Sequence, residues 1–175
     1  MNTIIVVVDP QKGWLNDYTR PPLLTLAEAL NQSGCWQSVV ITKFVNDLKS
    51  PFRTLLPWWR DFQTSADTDF IDEFANSDVK VFERNIYGLP AELWIYIERQ
   101  GVKQLMLTGV ETDATIVKTA MDAFDRGISV WVPSDLVAST YGPVGQSHGL
   151  AILGKVLGKD HILSLPETRG LLASC

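Results

Sequence analysis

The sequence predicts an α/β fold: a doubly wound, mostly parallel six-stranded sheet flanked by helices on both faces. Three observations carry that expectation. Short runs of apolar and β-branched residues recur between turn residues, stretches with apolar residues at helical spacing lie between those runs, and a glycine stands where each of the clearest helical stretches must stop. Alternation of strand and helix is most simply met by parallel strands joined through right-handed crossovers, with both faces of the sheet covered.

The first strand is expected at 3–8, where Ile4-Ile5-Val6-Val7-Val8 forms a continuous apolar run suited to burial on both faces. Leu23, Leu26, Ala27 and Leu30 then mark a helix that stops at Gly34, and a second strand is expected at 38–43. Pro51, Pro57, the pair Trp58-Trp59 and an acidic stretch from Asp67 to Glu73 break the rhythm. The segment 46–76 is therefore a long excursion over the carboxyl edge of the sheet, either a pocket wall or a packed surface loop with aromatic anchors. Strands at 79–82, 104–108 and 128–132 follow, separated by a helix over 90–100 that stops at Gly101 and one carrying Val117, Ala120, Met121 and Phe124 that stops at Gly127. A shorter edge strand is expected at 161–164, and no internal repeat is present.

A chain of 175 residues with 46% hydrophobic content suits one substantial core, so residues 1–175 are expected to form a single domain. The formal net charge of −5, with no run of Lys or Arg, argues against nucleic acid or an anionic membrane as partner and leaves small molecules or proteins. Cys35 and Cys175 show no paired spacing and read as free thiols. Asp9-Pro10 ends the first apolar run well short of signal-peptide or membrane length, so a soluble, cytoplasmic protein is expected.

In an open parallel sheet the crevice lies beyond the carboxyl ends of the strands, which directs attention to the polar residues there. Asp9 ends the first strand and has the chemistry of a general acid or base, or of an ordinary turn aspartate. Arg84 follows the third strand; it cannot exchange protons at neutral pH, but it can clamp a carboxylate or pair with an acid such as Glu83. The junction Gly109-Val110-Glu111-Thr112-Asp113-Ala114-Thr115 leads from the fourth strand into a helix, where backbone N–H groups can hold an oxyanion or simply cap the helix. The first strand runs into Asp9-Pro10-Gln11-Lys12-Gly13 and so lacks the glycine-rich loop of a dinucleotide-binding domain.

Taken in order, Val-Val-Asp9-Pro10-Gln11, Arg84-Asn-Ile-Tyr87-Gly, Gly109-Val-Glu-Thr112-Asp113-Ala-Thr115, Asp122-Ala-Phe-Asp125-Arg126-Gly127, Ser134-Asp135-Leu136-Val137 and Ala138-Ser139-Thr140-Tyr141-Gly142-Pro143 resemble the isochorismatase-like superfamily of cysteine hydrolases, nearly end to end. The resemblance implies a Rossmann-like three-layer sandwich. It also implies an aspartate, a lysine and a cysteine as the reactive set of the thiol enzymes. Asp9 matches the aspartate, whereas Arg84 falls at the lysine position and Thr115 at the cysteine position. A thiol at a helix amino terminus can ionise near neutral pH; a threonine hydroxyl starts too high for the same help to suffice, and its β-branch narrows the approach to a carbonyl. An arginine held beside Asp9 would favour the carboxylate over the proton donor.

The catalytic positions implied are therefore Asp9, Arg84 and Thr115, with Gln11, Trp14, Tyr87, Val110, Glu111 and Ala114 as substrate-contacting candidates and Trp58 and Trp59 as further wall aromatics. The resemblance also implies a cis Val110–Glu111 peptide. The nicotinamidase branch carries an Asp/His metal site after the second strand, but Phe44-Val45-Asn46-Asp47-Leu48 contains no histidine, so neither metal nor cofactor is expected; His148 is expected on a helix surface or at an interface. Three functions stay open: a domain without thiol chemistry that binds a small anionic or amide-like ligand, a cysteine-independent hydrolase using Asp9, and an assembly role. The family's habit of forming dimers or tetramers implies a homo-oligomer, with Leu171-Leu172-Ala173 at an interface or closing the sheet edge.

Overall fold

The computed structural model describes residues 3–75 and 78–172. Strand β1 (Thr3–Val8) is buried from Ile4 onward and lies near the middle of a parallel sheet. Its side chains alternate between two cores, Ile4, Val6 and Val8 facing one and Ile5 and Val7 the other. That alternation follows from the two-residue period of a strand, and the sheet is doubly wound because its strand order runs outward in both directions from the β1–β4 pair with helices on both faces. The flanking strands are β2 (Val39–Phe44), β3 (Lys80–Arg84), β4 (Gln104–Val110), β5 (Ser129–Pro133), β6 (Val137–Ala138) and β7 (Ile162–Leu163). Their order is β3-β2-β1-β4-β5-β7, with β6 paired to the end of β4.

The sheet thus has seven strands instead of the six expected. The addition is β6, whose two residues are too short for any period to show. Strands β2, β3 and β4 also run further toward their carboxyl ends than the sequence indicated. Phe44 consequently sits in register with Arg84, and Val8 with Gly109.

Helix α1 (Arg20–Ser33) buries Leu23, Leu26 and Leu30 against one face. The excursion after β2 holds three short helices: α2 (Pro51–Leu55), α3 (Ser65–Thr68) and α4 (Asp72–Ala75). Helix α5 (Ala91–Arg99) covers the opposite face with Leu93, Trp94 and Ile97, beside α6 (Val117–Asp125) and α7 (Gly142–Leu157). Helix α8 (Leu165–Leu172) returns to α1, where Leu172 is buried and its carbonyl accepts a hydrogen bond from the Cys35 thiol at 3.0 Å. Leu171 is exposed, and Ala173 and Cys175 lie outside the described residues. Gly34, Gly101 and Gly127 end their helices with φ of 69°, 62° and 68°, the left-handed caps their placement indicated.

Two helices differ from the sequence expectation. On α6 the buried side chains are Thr119, Ala120 and Ala123, continued backward by Ile116, while Phe124 is 62% exposed and Met121 38% exposed. The larger apolar residues suggested a stripe one position round the helix from the true one. Helix α7 was not expected from the sequence: its first turns pack through Gly142, Gly145 and Gly149, and only toward its end do Leu150, Leu153 and Leu157 meet the core. An added Cβ at Gly149 would stand 2.8 Å from the Asp113 nitrogen, and at Gly145 2.2 Å from Ser139 Oγ. The helix backbone therefore lies directly against the junction after β4. Among the described residues, no helix is long and apolar enough to cross a membrane.

Candidate functional site

At the carboxyl end of β1 the chain turns sharply. Asp9 takes φ of 46°, a left-handed conformation that aspartate and asparagine tolerate better than other side chains. The residue is completely buried. Thr42, near the end of neighbouring β2, is matched to it reciprocally: its hydroxyl donates to Asp9 Oδ1 at 2.6 Å and accepts the Asp9 N–H at 3.2 Å.

Arg84 ends β3, two strands from β1 and on the order of 10 Å away at ordinary strand spacing. Its side chain crosses that gap over the face of Phe44, with the guanidinium carbon 5.0 Å from the ring centroid. Nε donates to Asp9 Oδ1 at 3.2 Å, and Nη2 donates to Asp9 Oδ2 and to Thr115 Oγ1, the latter at 3.1 Å. Nη1 donates to the Ile86 carbonyl. The guanidinium thus forms a two-pronged ion pair with Asp9, removed from water at both partners.

Thr115 reaches this pair through a single π-helical turn, Thr112–Ile116, that precedes α6. The Glu111 carbonyl accepts from Ala114 N–H at 3.3 Å and from Ile116 N–H, five residues on, at 3.0 Å. The widened turn aims Thr115 inward, where it is 3% exposed. Gly109, with φ of 97°, and the cis Val110–Glu111 peptide lead into it. The three positions singled out as catalytic therefore meet around one guanidinium. Chemically they form a neutral couple with a hydroxyl attached, and among the described residues no hydrogen bond joins that hydroxyl to a base.

The remaining candidates separate. Gln11 braces the turn: Nε2 donates to the carbonyls of Phe44 and Thr68 at 2.8 and 3.0 Å, and Oε1 accepts the Phe44 N–H at 2.7 Å. Its amide hydrogens are thereby taken, and Gln11 holds the turn to β2 and to the excursion. Val110 is a core side chain, so its peptide group alone can face a ligand. Trp14 packs on Phe62, Phe44 and Trp59, with ring centroids 4.2, 6.1 and 6.4 Å away, in an aromatic cluster that includes Phe52. The excursion is thus anchored by aromatic residues, and its backbone joins the Asp9 turn where Lys12 N–H donates to Asp69 and Ile71 N–H to Pro10. Trp58 is 74% exposed and is not part of that cluster. Tyr87 packs on Phe52 and lines a groove of about 290 Å³ with Pro51, Leu55, Leu56 and Ile86, whose lining includes neither Asp9 nor Thr115. Ala114 lies half-buried in the π turn.

Glu111 turns toward β6. Its Oε2 accepts the Thr140 N–H at 2.8 Å, while Oε1 is buried and makes no hydrogen bond. Burial pushes the carboxyl up to about 6, with Asp113 adding to the rise and the Thr140 N–H and the Ser139 and Thr140 hydroxyls opposing it.

Sequence reasoning missed Thr42, Ser139 and Thr140. Thr42 was available as the polar residue beside Asp9 once β1 and β2 were placed in register, whereas the role of Thr140 depends on the two-residue strand β6. His148 is exposed on α7, and His161 stacks on Trp131 with Nδ1 2.6 Å from the Val130 carbonyl. Among the described residues no three His, Cys, Asp or Glu side chains converge as a metal site would need.

The family model for the isochorismatase domain matches residues 3–157. The chain belongs to the isochorismatase family. It is 24% identical over 106 residues to isochorismatase family protein 1A of Dictyostelium discoideum, a match covering 59% of this chain and 52% of that protein. The chain thus spans about half the length of the curated relatives it matches. A cysteine hydrolase from Pseudomonas syringae superposes with a TM-score of 0.82 at 20% identity, covering 99% of this chain and 93% of that one. The pyrazinamidase/nicotinamidase of Streptococcus mutans superposes with a TM-score of 0.77 at 18% identity, covering 93% and 99%. At such identities the likeness establishes the isochorismatase-like fold, and the chemistry rests on the residues of this chain.

Proposed function

We propose that this isochorismatase-family protein has lost thiol-dependent amide hydrolysis and keeps the Asp9–Arg84–Thr115 constellation as a recognition site for a small amide-like molecule. The observation that carries this reading is the Arg84 guanidinium holding Asp9 and Thr115 at once. Bound in this way, Asp9 accepts from Thr42 and from both prongs of the arginine, a poor arrangement for handing over a proton. Thr115 has neither a thiol's acidity nor a base to deprotonate it. Because Asp9 already neutralises Arg84, an anion gains little from the pair. A neutral carbonyl can share the Nη2 proton that now goes to Thr115, which favours an amide over the anionic alternative.

The test is hydrolysis of a panel of amides, N-carbamoyl compounds and isochorismate by the wild type, by Asp9→Asn and by the Arg84→Lys, Thr115→Cys double variant. The wild type is expected to be silent and the double variant to gain turnover. Turnover by the wild type that disappears in Asp9→Asn would overturn the proposal and establish a cysteine-independent hydrolase. Ligand recognition is read separately, by the rise in Tm with primary amides and its loss in Arg84→Gln.

A further inference from the structure

The turn from Ser139 to Gly142 is tied down from both sides at Thr140. Its N–H donates to Glu111 Oε2 at 2.8 Å, and its carbonyl accepts from Asn16 Nδ2 at 3.0 Å. Within the turn, Tyr141 N–H donates to Ser139 Oγ at 3.1 Å, and Gly142 N–H donates to the Ser139 carbonyl at 3.0 Å. Beside the Oε2 that the turn's Thr140 N–H holds, Glu111 Oε1 is shut away from solvent without a hydrogen-bond partner among the described residues. An ionised carboxylate there keeps the Thr140 N–H and some help from the Ser139 and Thr140 hydroxyls, but not the full shell that water would give it, and burial outweighs that help.

We infer that Glu111 and the Ser139–Gly142 turn form a proton-linked latch, closed when the Glu111 carboxyl is protonated and loosened when it is ionised. When the turn lifts, Glu111 regains water, so an ionised Glu111 favours the lifted state and a protonated one the closed state. The charged neighbours act in the same sense or stand clear. From the π turn, Asp113 adds a like charge that raises the cost of ionising Glu111. From α7, Gly145 lies against Ser139 and Asp113 and carries no charge, and His148 is exposed. From the segment after β1, Asn16 is neutral, and Asp17 and Tyr18 are exposed.

The folded carboxyl titrates at about 6 against an ordinary 4.5, and that gap sets the size of the effect. If Glu111 is fully hydrated once the turn lifts, the opening equilibrium rises by about 30-fold from fully protonated to fully ionised, and by roughly 15-fold between pH 4.5 and 7.5. Glu111 also contributes half of the Val110–Glu111 peptide, next to the end of β1, so the device acts at that end of the crevice.

Hydrogen exchange read at single amides, corrected for intrinsic rates, tests the latch. In the wild type the protection of the Thr140 amide is expected to fall roughly tenfold or more between pH 4.5 and 7.5, while core amides such as Val6 change little. In Glu111→Gln the Thr140 protection should be flat over that range. Should the Gln variant fold poorly, carbon NMR of the wild-type Glu111 carboxyl, expected to titrate near pH 6, is read alongside the wild-type exchange. Wild-type protection that stays within twofold, a fall shared uniformly with core amides, the same fall persisting in a folded Gln variant, or a Glu111 midpoint near 4.5 would each overturn the inference.

Discussion

Replacing Arg84 by methionine keeps most of the side chain's volume and removes its charge, so it isolates the ion pair with Asp9. The predicted cost is large because the partner left behind is fully buried and retains only the Thr42 hydroxyl and that residue's contact with its own N–H. Breaking a buried pair from one side typically costs about 3–5 kcal/mol, and loss of the contact with the Phe44 face adds up to about 1 kcal/mol. Asp9→Asn is the matching change on the other side, since asparagine tolerates the positive φ of that position. If the charges interact as the geometry indicates, the double variant should be more stable than the sum of the single losses predicts, by about 2 kcal/mol or more. Urea unfolding followed by tryptophan fluorescence, with the m value checked for constancy, supplies all four corners of the cycle. A single-variant loss below about 1 kcal/mol, the range of exposed pairs, or strict additivity in the double variant, would refute a buried, coupled pair.

Three further outcomes are predicted. Thr42→Val should cost about 1.5–3 kcal/mol in the same unfolding assay, because it strips a hydrogen bond from a buried carboxylate and one from its N–H; a neutral result would count against the Thr42–Asp9 pairing. Gly149→Ala should destabilise by about 1–3 kcal/mol, since its Cβ meets the Thr112 and Asp113 backbone at 2.8 Å, whereas Gly154→Ala on the same helix finds its nearest neighbour at 3.8 Å and should gain about 0.5–1 kcal/mol. Glu111 should also make stability fall as pH rises: between 4.5 and about 6 the folded chain binds the proton more tightly than the unfolded one, a contribution of about 2 kcal/mol fully present below that window and lost above it. The difference between wild type and Glu111→Gln in unfolding free energy from pH 4.5 to 7.5 isolates this, and a pH-independent difference would refute it.

The fold was legible because continuous apolar strands and glycine-stopped helices are local signals. Ile4 to Val8 announces a strand buried on both faces, and Gly34, Gly101 and Gly127 announce where helices end. Helix α7 and strand β6 were hidden for different reasons: the first half of the helix packs through glycines, so its apolar stripe is confined to Leu150, Leu153 and Leu157, and the strand has two residues and no period at all. At the site, Asp9, Arg84 and Thr115 were found as separate strand ends or junctions. That Arg84 would meet the other two depended on its crossing a whole strand over Phe44, which no spacing in the chain reveals. The scaffolding role of Gln11 was likewise invisible, because its partners lie 33 and 57 residues away.

The pairing of β1 with β4 also shapes how the chain is made. Thr3 is joined to Gln104, so on a ribosome adding about 5–20 residues per second the first strand is complete some 5–20 s before its central neighbour exists. Strand β2 follows much sooner and can shield one edge of β1 in the interval. The other edge, with five consecutive apolar residues, stays open until β4 emerges. During that interval β1 carries an unpaired apolar edge, the kind of surface on which unfinished chains aggregate.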